Sequence, residues 1–277
     1  MHVIRRVGVA LAFLLASGAA RAETCNSPIK PADLLVAGTL SMAINPTLPP
    51  QQFVDSSGEL QGLNVDLARE FAKRLCLTME FVRMDFPAMF PALAAARFDG
   101  IDTGMFWTEE RSKIAYTVPY AQQAISLVVL KGNTLSVASA QALAGHSAGV
   151  EINSYQERWV RGIDKENVAK GAKPIDIKAF TTATDVLAAM RAGQVETAVL
   201  IDQTATELVK RGLVTVTATG LGGAPTTLVF RNKAVAQAVA DTLTKMRADG
   251  FYDALFDRYG LTKFPEKTFA IRGPGPG

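Results

Sequence analysis

Histidine is nearly missing from this sequence: 277 residues contain two, His2 and His146. A Ser-His-Asp or Cys-His triad, or a histidine-rich metal site, would have to be built around one of them. His146 sits in the turn-like stretch LAGHSAG ahead of a strand-like run and reads as a surface or turn residue. No catalytic residue, metal ligand or cofactor is therefore assigned. Basic patches are missing too, and no aromatic residues interleave with Lys and Arg in the manner of a nucleic-acid binder. No run after the first 22 residues is long and apolar enough to cross a membrane, and no internal repeat of fixed period is visible. At 48% hydrophobic and 20% charged, the composition is that of a globular chain, long enough for two lobes.

The N-terminus differs from the rest. MHVIRRVGVALAFLLASGAARA opens with Arg5 and Arg6, runs through an apolar stretch over 7–15 and ends in the small residues around Ala20 and Ala22. This is the pattern of a cleavable secretory signal over 1–22, and the apolar run is short for a membrane anchor. The arginine pair is only a weak twin-arginine match, and no lipobox precedes Cys25. Removing 1–22 takes away Arg5, Arg6 and Arg21 and leaves 26 basic against 26 acidic side chains. The two cysteines, Cys25 and Cys76, most simply pair in an exported protein. The alternative is a buried free Cys76 with Cys25 idle on a mobile terminus.

Short apolar runs alternate with helical patterns, which predicts α/β layers. Strands are expected over 34–44, 77–84, 100–105, 126–130, 148–152, 175–180, 197–202 and 226–230. Helices are expected from Asn64, over 88–98, 154–160 and 183–193, and as two segments after the last strand. The final IRGPGPG is Gly/Pro-rich and is expected to be a flexible tail.

GMFWTEERSK (104–113) follows a predicted strand. Thr108 stands at an N-cap position, ahead of unpaired backbone N–H groups. Arg111, one turn in, can reach the same place, so the pair could hold a carboxylate. The residues alone favour a surface Arg111 paired with Glu109 or Glu110. Ser154 and Glu157 form an S-x-x-E capping box at the next helix. Asp202 closes the strand TAVLID, where it could cap the next helix.

The blocks GELQGLNVDLAREFAKRL, FPALAAARFDGIDTGMFWTEERSKIAYTVPY, GVEINSYQE and MRAGQVETAVLID, in this order, resemble those of bacterial extracellular solute-binding proteins of family 3. These periplasmic receptors deliver polar amino acids and related compounds to ABC importers. The similarity covers about 36–262 and is most specific over 99–120. It implies an α/β fold of two lobes, the type II periplasmic-binding fold, with a hinge and an interlobe ligand cleft. The first lobe would take 23–121 plus 227–262, the second 122–226, with crossings near 121–126 and 220–227 and a flexible tail over 263–277. The function implied is the periplasmic substrate-binding component of an ABC transporter. It would capture an amino acid or an amino-acid-derived solute, such as an opine-like conjugate, and dock on an inner-membrane permease, as a monomer and without enzymatic chemistry.

The resemblance assigns Arg111 to the ligand's α-carboxylate and Asp202 to its α-ammonium. Thr103, Gly104, Phe106, Asn153, Ser154 and Tyr155 would complete the site. Several positions depart from the family. Leu48 and Gln51 stand where aromatic residues often line the first wall. Phe106 replaces a Ser or Thr, and Asn153 a Gly. Asp102 and Glu151 are acids at unusual positions. Period-2 alternation puts 102, 104 and 106 on one face, which would bring Asp102 toward the cleft. Trp107, of opposite parity, is expected in the core. These two acids also leave a second reading open, a cyclohexadienyl dehydratase-like enzyme on the same scaffold, with one of them as acid or base.

Overall fold

Two unusually long antiparallel strands hold the molecule together. The structure, a computed structural model, describes residues 25–276, so the expected signal over 1–22 lies outside it. In chain order the elements are β1 (Thr39–Ile44), β2 (Thr47–Leu48), β3 (Gln52–Val54), β4 (Leu60–Gln61), α1 (Leu63–Arg74), β5 (Thr78–Arg83), α2 (Met89–Ala94), β6 (Gly100–Phe106) and α3 (Glu109–Ile114). Then come β7 (Tyr116–Leu130), β8 (Ser147–Glu151), α4 (Tyr155–Ala169), β9 (Asp176–Phe180), α5 (Ala183–Arg191), β10 (Thr197–Ile201), α6 (Asp202–Lys210), β11 (Val214–Phe230), α7 (Lys233–Ala248) and α8 (Phe251–Tyr259). The strands expected over 126–130 and 226–230 are thus the ends of β7 and β11.

One eight-stranded sheet runs β5-β1-β6-β11-β7-β10-β8-β9. β5, β1 and β6 are parallel, as are β10, β8 and β9, and the β7–β11 ribbon joins the two parallel halves. Each half is covered on both faces, and so β6 and β10 are buried at every position. In the first lobe α1, α7 and α8 pack over one face, with Leu63, Phe71, Val239 and Phe256 in the core. Met89, Leu93 and Phe98 cover the other face. In the second lobe Val150 and Val160 sit under α4, while Val186, Met190 and Leu208 fill the opposite face. The expected crossings fall inside the ribbon. There β11 slips register three times between Val216 and Ala224. Gly222 has a φ of 55°, and a Cβ on it would stand 2.8 Å from the Trp159 ring. A side chain there would collide as well as strain the backbone.

Two features tie the ends down. Cys25 and Cys76 form a disulfide with Cα atoms 5.6 Å apart, fastening the start of the described chain to the end of α1. The tail, expected to be flexible, is instead laid along the first lobe over 263–276. Phe264 and Phe269 are buried against Tyr252. The Tyr252 hydroxyl accepts from Phe264 N at 2.8 Å and donates to Tyr120 O at 2.6 Å. Arg272 N donates to Thr117 O, and Gly275 N to Ser112 O, both at 2.9 Å. The Gly/Pro-rich composition spoke for disorder, but two phenylalanines upstream of it supply the buried area that overrides it. Trp107, expected in the core, is half-buried beneath this segment. Its Nε1 donates to Thr117 Oγ1 at 3.0 Å, and Arg272 lies 5.4 Å from its ring.

Reducing the disulfide should lower the unfolding free energy by roughly 4 kcal/mol, the chain-entropy figure for a loop of this size, measured by urea denaturation with and without reductant. Phe269→Ala should cost ~3–5 kcal/mol, as for other buried phenylalanines; a change below ~1 kcal/mol would mean that the tail is not held.

Candidate ligand-binding cleft

β6 leaves its neighbour β1 before it ends, and its last carbonyls take side-chain partners. Gln52 Nε2 donates to Thr103 O at 2.8 Å, and Gln123 Nε2 to Gly104 O at 2.8 Å. Gln52 Oε1 in turn accepts from Asn64 Nδ2, and Asn64 Oδ1 from the Tyr120 hydroxyl. Gln51 Nε2 donates to Gln123 Oε1 at 3.0 Å. Gly104 has a φ of 65°, and its missing Cβ would lie 1.9 Å from Gln51 Oε1, so a larger residue would strain the backbone and displace the Gln51 amide.

That left-handed glycine also breaks the alternation on which Asp102 was placed. Thr103, Gly104, Met105 and Phe106 all line the cleft cavity, and Asp102 does not. Asp102 is fully buried on the core side, and neither carboxylate oxygen meets a donor. Burial holds its carboxyl well above the ordinary range, which favours its neutral form.

Thr108 caps α3 as expected, its Oγ1 accepting from Arg111 N at 3.2 Å. The Arg111 side chain turns inward and is 4% exposed. Its Nη1 donates to Phe106 O at 2.6 Å, and its Nη2 to Asn153 O of the second lobe at 3.5 Å. The guanidinium lies 5.3 Å from the Phe86 ring and 5.9 Å from that of Phe90. Among the described residues no carboxylate forms an ion pair with it. Burial, with Arg158 nearby, brings its pKa down to about 9, a depression partly offset by Glu110 and Glu151.

The second lobe brings the end of β8 and the start of α4 to the same place. Asn153 has a φ of 61°; its N–H donates to Glu157 Oε2 at 2.6 Å. Ser154 Oγ accepts from Glu157 N at 3.0 Å. The carboxylate therefore reaches back to the residue before the cap. Tyr155 stacks on Phe106 with ring centroids 4.3 Å apart. Glu151, buried, accepts from Asn45 Nδ2 of the first lobe at 2.9 Å. Burial pushes its carboxyl up to about 8, against the pull of Asn45 and Arg111, with Asp85 and Asp185 adding to the rise.

Arg111, Glu151, Ser154, Tyr155, Phe106, Thr103, Gly104 and Leu48 thus share one cavity, together with Phe86, Met105, Gln156 and Ile201. About 20 Å³ of open space remains in it, room for one water and far less than an amino acid needs. The lobes are drawn together, and entry requires them to part. Besides Asp102, three expected ligand contacts lie outside this cavity: Gln51 is buried in the amide network, Asn153 lines a neighbouring space with Arg111 and Phe90, and Asp202 lines a different one. That space, about 320 Å³, is bordered by Gln122, Gln123, Lys210 and Tyr259, and there Asp202 Oδ1 accepts from Ser126 Oγ at 2.6 Å. Phe86 and Asn45 were missed because nothing in a lone Phe before a proline, or in an Asn after a strand, marks a cleft.

Two α/β lobes on an antiparallel ribbon, with a buried guanidinium between them, define a two-lobe solute-binding protein. The family model for bacterial extracellular solute-binding proteins, family 3, matches residues 40–262, and the chain belongs to that family. It is 27% identical over 228 residues to the L-cystine-binding protein TcyJ of Escherichia coli (strain K12), spanning 80% of this chain and 82% of the relative. An ancestral arginine-binding protein solved with arginine bound matches with a TM-score of 0.74 at 30% identity, over 80% of this chain and 98% of that one. AncCDT-1, an ancestral amino acid-binding protein and a precursor of cyclohexadienyl dehydratase, matches with a TM-score of 0.71 over 80% of this chain and 95% of that one. Its identity is 24%, and that likeness is one of fold.

Replacing the buried acid tests its protonation. A carboxyl whose folded pKa is raised stabilises the fold below the unfolded pKa, about 3.9 for Asp, and loses that contribution as pH rises. The stability of Asp102→Val relative to wild type should therefore grow between pH 4 and pH 8, by about 1 kcal/mol or more. Urea denaturation at the two pH values measures it, and an equal difference at both would contradict the raised pKa.

Proposed function

We propose that this chain captures an amino acid or an amino-acid-derived solute between its lobes and presents it to an inner-membrane ABC permease. One observation carries the reading: Arg111 is buried without a carboxylate partner among the described residues. A desolvated cation left unpaired is costly, and a carboxylate arriving from outside removes that cost. The guanidinium has a free edge for it, because Phe106 O and Asn153 O engage only part of its five donors.

Closure follows from the same contact. Arg111 belongs to the first lobe, and Ser154 at the start of α4 in the second lines the same cavity, so an anion seated on Arg111 meets both. The first lobe comprises 23–121 with 227–262, and the second 122–226, rotating about the β7–β11 ribbon. The protein works as a monomer in the periplasm, after removal of residues 1–22. The reading involves no covalent chemistry. Of the two acids weighed as acid–base groups, Asp102 lies outside the cavity, and Glu151 is the one that lines it. The relatives named for L-cystine and arginine support an amino acid as the ligand class.

A thermal-shift screen across amino acids, opines and polyamines should reveal a ligand, since binding to the folded state raises the melting point. Arg111→Ala should fold and bind that ligand at least tenfold more weakly, a loss of ~1.4 kcal/mol or more. Calorimetry showing a smaller loss would remove Arg111 from the ligand contact.

A further inference from the structure

We infer that Glu151, rather than Asp202, supplies the negative charge that meets a cationic group of the ligand held at Arg111, and that the ligand class is therefore a carboxylate-bearing cation. This rests on the binding function proposed above.

The geometry makes the case. Arg111 and Glu151 line one cavity, and neither forms an ion pair with any described residue. They do not pair with each other, yet each perturbs the other's charge. An unpaired cation and an unpaired acid across one small space are complementary to a molecule that carries both signs. Asp202 is turned elsewhere. It is tied to Ser126 and lines the neighbouring space. Gln123 lines that space too, and its amide donates to Gly104 O, which lines the Arg111 cavity. The Gln51–Gln123 amide pair thus stands at the partition between the two.

Glu151 also has a hydrogen bond to spare. Asn45 Nδ2 engages its Oε1, and no donor among the described residues engages Oε2. The charged or titratable groups around it are Arg111 from α3, Asp85 from the segment before α2, and Asp185 from α5. Two of these three are acids, so the surroundings favour a proton on Glu151 until a cation arrives. With its pKa at about 8, the side chain is mostly protonated at neutral pH. Binding a cation next to it should expel that proton.

The test is titration calorimetry of the purified full chain at pH 7 with L-arginine, L-lysine, L-glutamine and L-glutamate, each in buffers of different ionisation enthalpy. A cationic ligand should bind with release of about one proton. Glu151→Gln should lose at least tenfold in affinity and abolish the release, while Asp202→Asn should change affinity less than threefold. Proton release by L-glutamine as well would identify the α-ammonium as the group at Glu151; release by arginine and lysine alone would identify the side-chain cation. Binding without proton release, a preference for L-glutamate, or a loss confined to Asp202→Asn would overturn the inference and leave the binding function standing. No binding by any amino acid would overturn both. The wild-type proton count requires no variant to fold.

Discussion

A guanidinium taken out of water without a counter-charge is the constraint around which the rest is arranged. The groups that touch the Arg111 guanidinium soften its desolvation without neutralising it. The Phe106 carbonyl accepts from one arm, the rings of Phe86 and Phe90 lie against its faces, and the second lobe contributes a carbonyl at the limit of hydrogen-bond reach. A neighbouring carboxylate would have been the stronger answer, but it would also have filled the place a ligand needs. Glu109 and Glu110 are close in sequence and both exposed. The cap at Thr108 starts α3 so that its first turn sends these acids outward and Arg111 inward.

The surrounding scaffold must be stiff where it positions this charge and pliant where the lobes turn. Stiffness comes from the amide network. Gln51, Gln52, Asn64 and Gln123 bond to one another, to the hydroxyl of Tyr120 and to the end of β6, with Gln51 Oε1 alone left without a partner among the described residues. Pliancy comes from the ribbon, where β11 slips register repeatedly and glycines take the left-handed conformation. Away from the ribbon the lobes touch through an aromatic stack, the Asn45–Glu151 bond, the Arg111–Asn153 contact and the packing of β2 against α5.

Most of the layered fold was legible because hydrophobic periodicity is a local signal. The strands at 148–152, 175–180 and 197–202 and the helix at 183–193 appear close to where they were read. The cap that turns Arg111 inward was legible in part, since an N-cap Thr with Arg three residues on has a local meaning. What failed were inferences of long range or fine parity. Asp102 was assigned by alternation, and one left-handed glycine two residues later voids that rule. The tail was judged on its glycines and prolines, while the deciding residues, Phe264 and Phe269, meet partners far away in the chain. Asp202 was placed through the family pattern, and the glutamines that separate it from Arg111 here carry no motif. Nothing local distinguishes a glutamine that walls a cavity from one on a surface.

The docked C-terminus has a consequence for how the chain acquires its shape. α7, α8 and the segment after them supply much of the core beneath the first lobe, and the last residues cover the helix that carries Arg111. The second lobe, by contrast, is a continuous stretch. As the chain is made from its N-terminus, the first lobe to be synthesised is therefore the last to be completed, because its core waits on residues more than 100 positions later. Contacts of that sequence separation form slowly. A truncated or stalled chain would therefore lack much of the core on which the segment carrying Arg111 is laid.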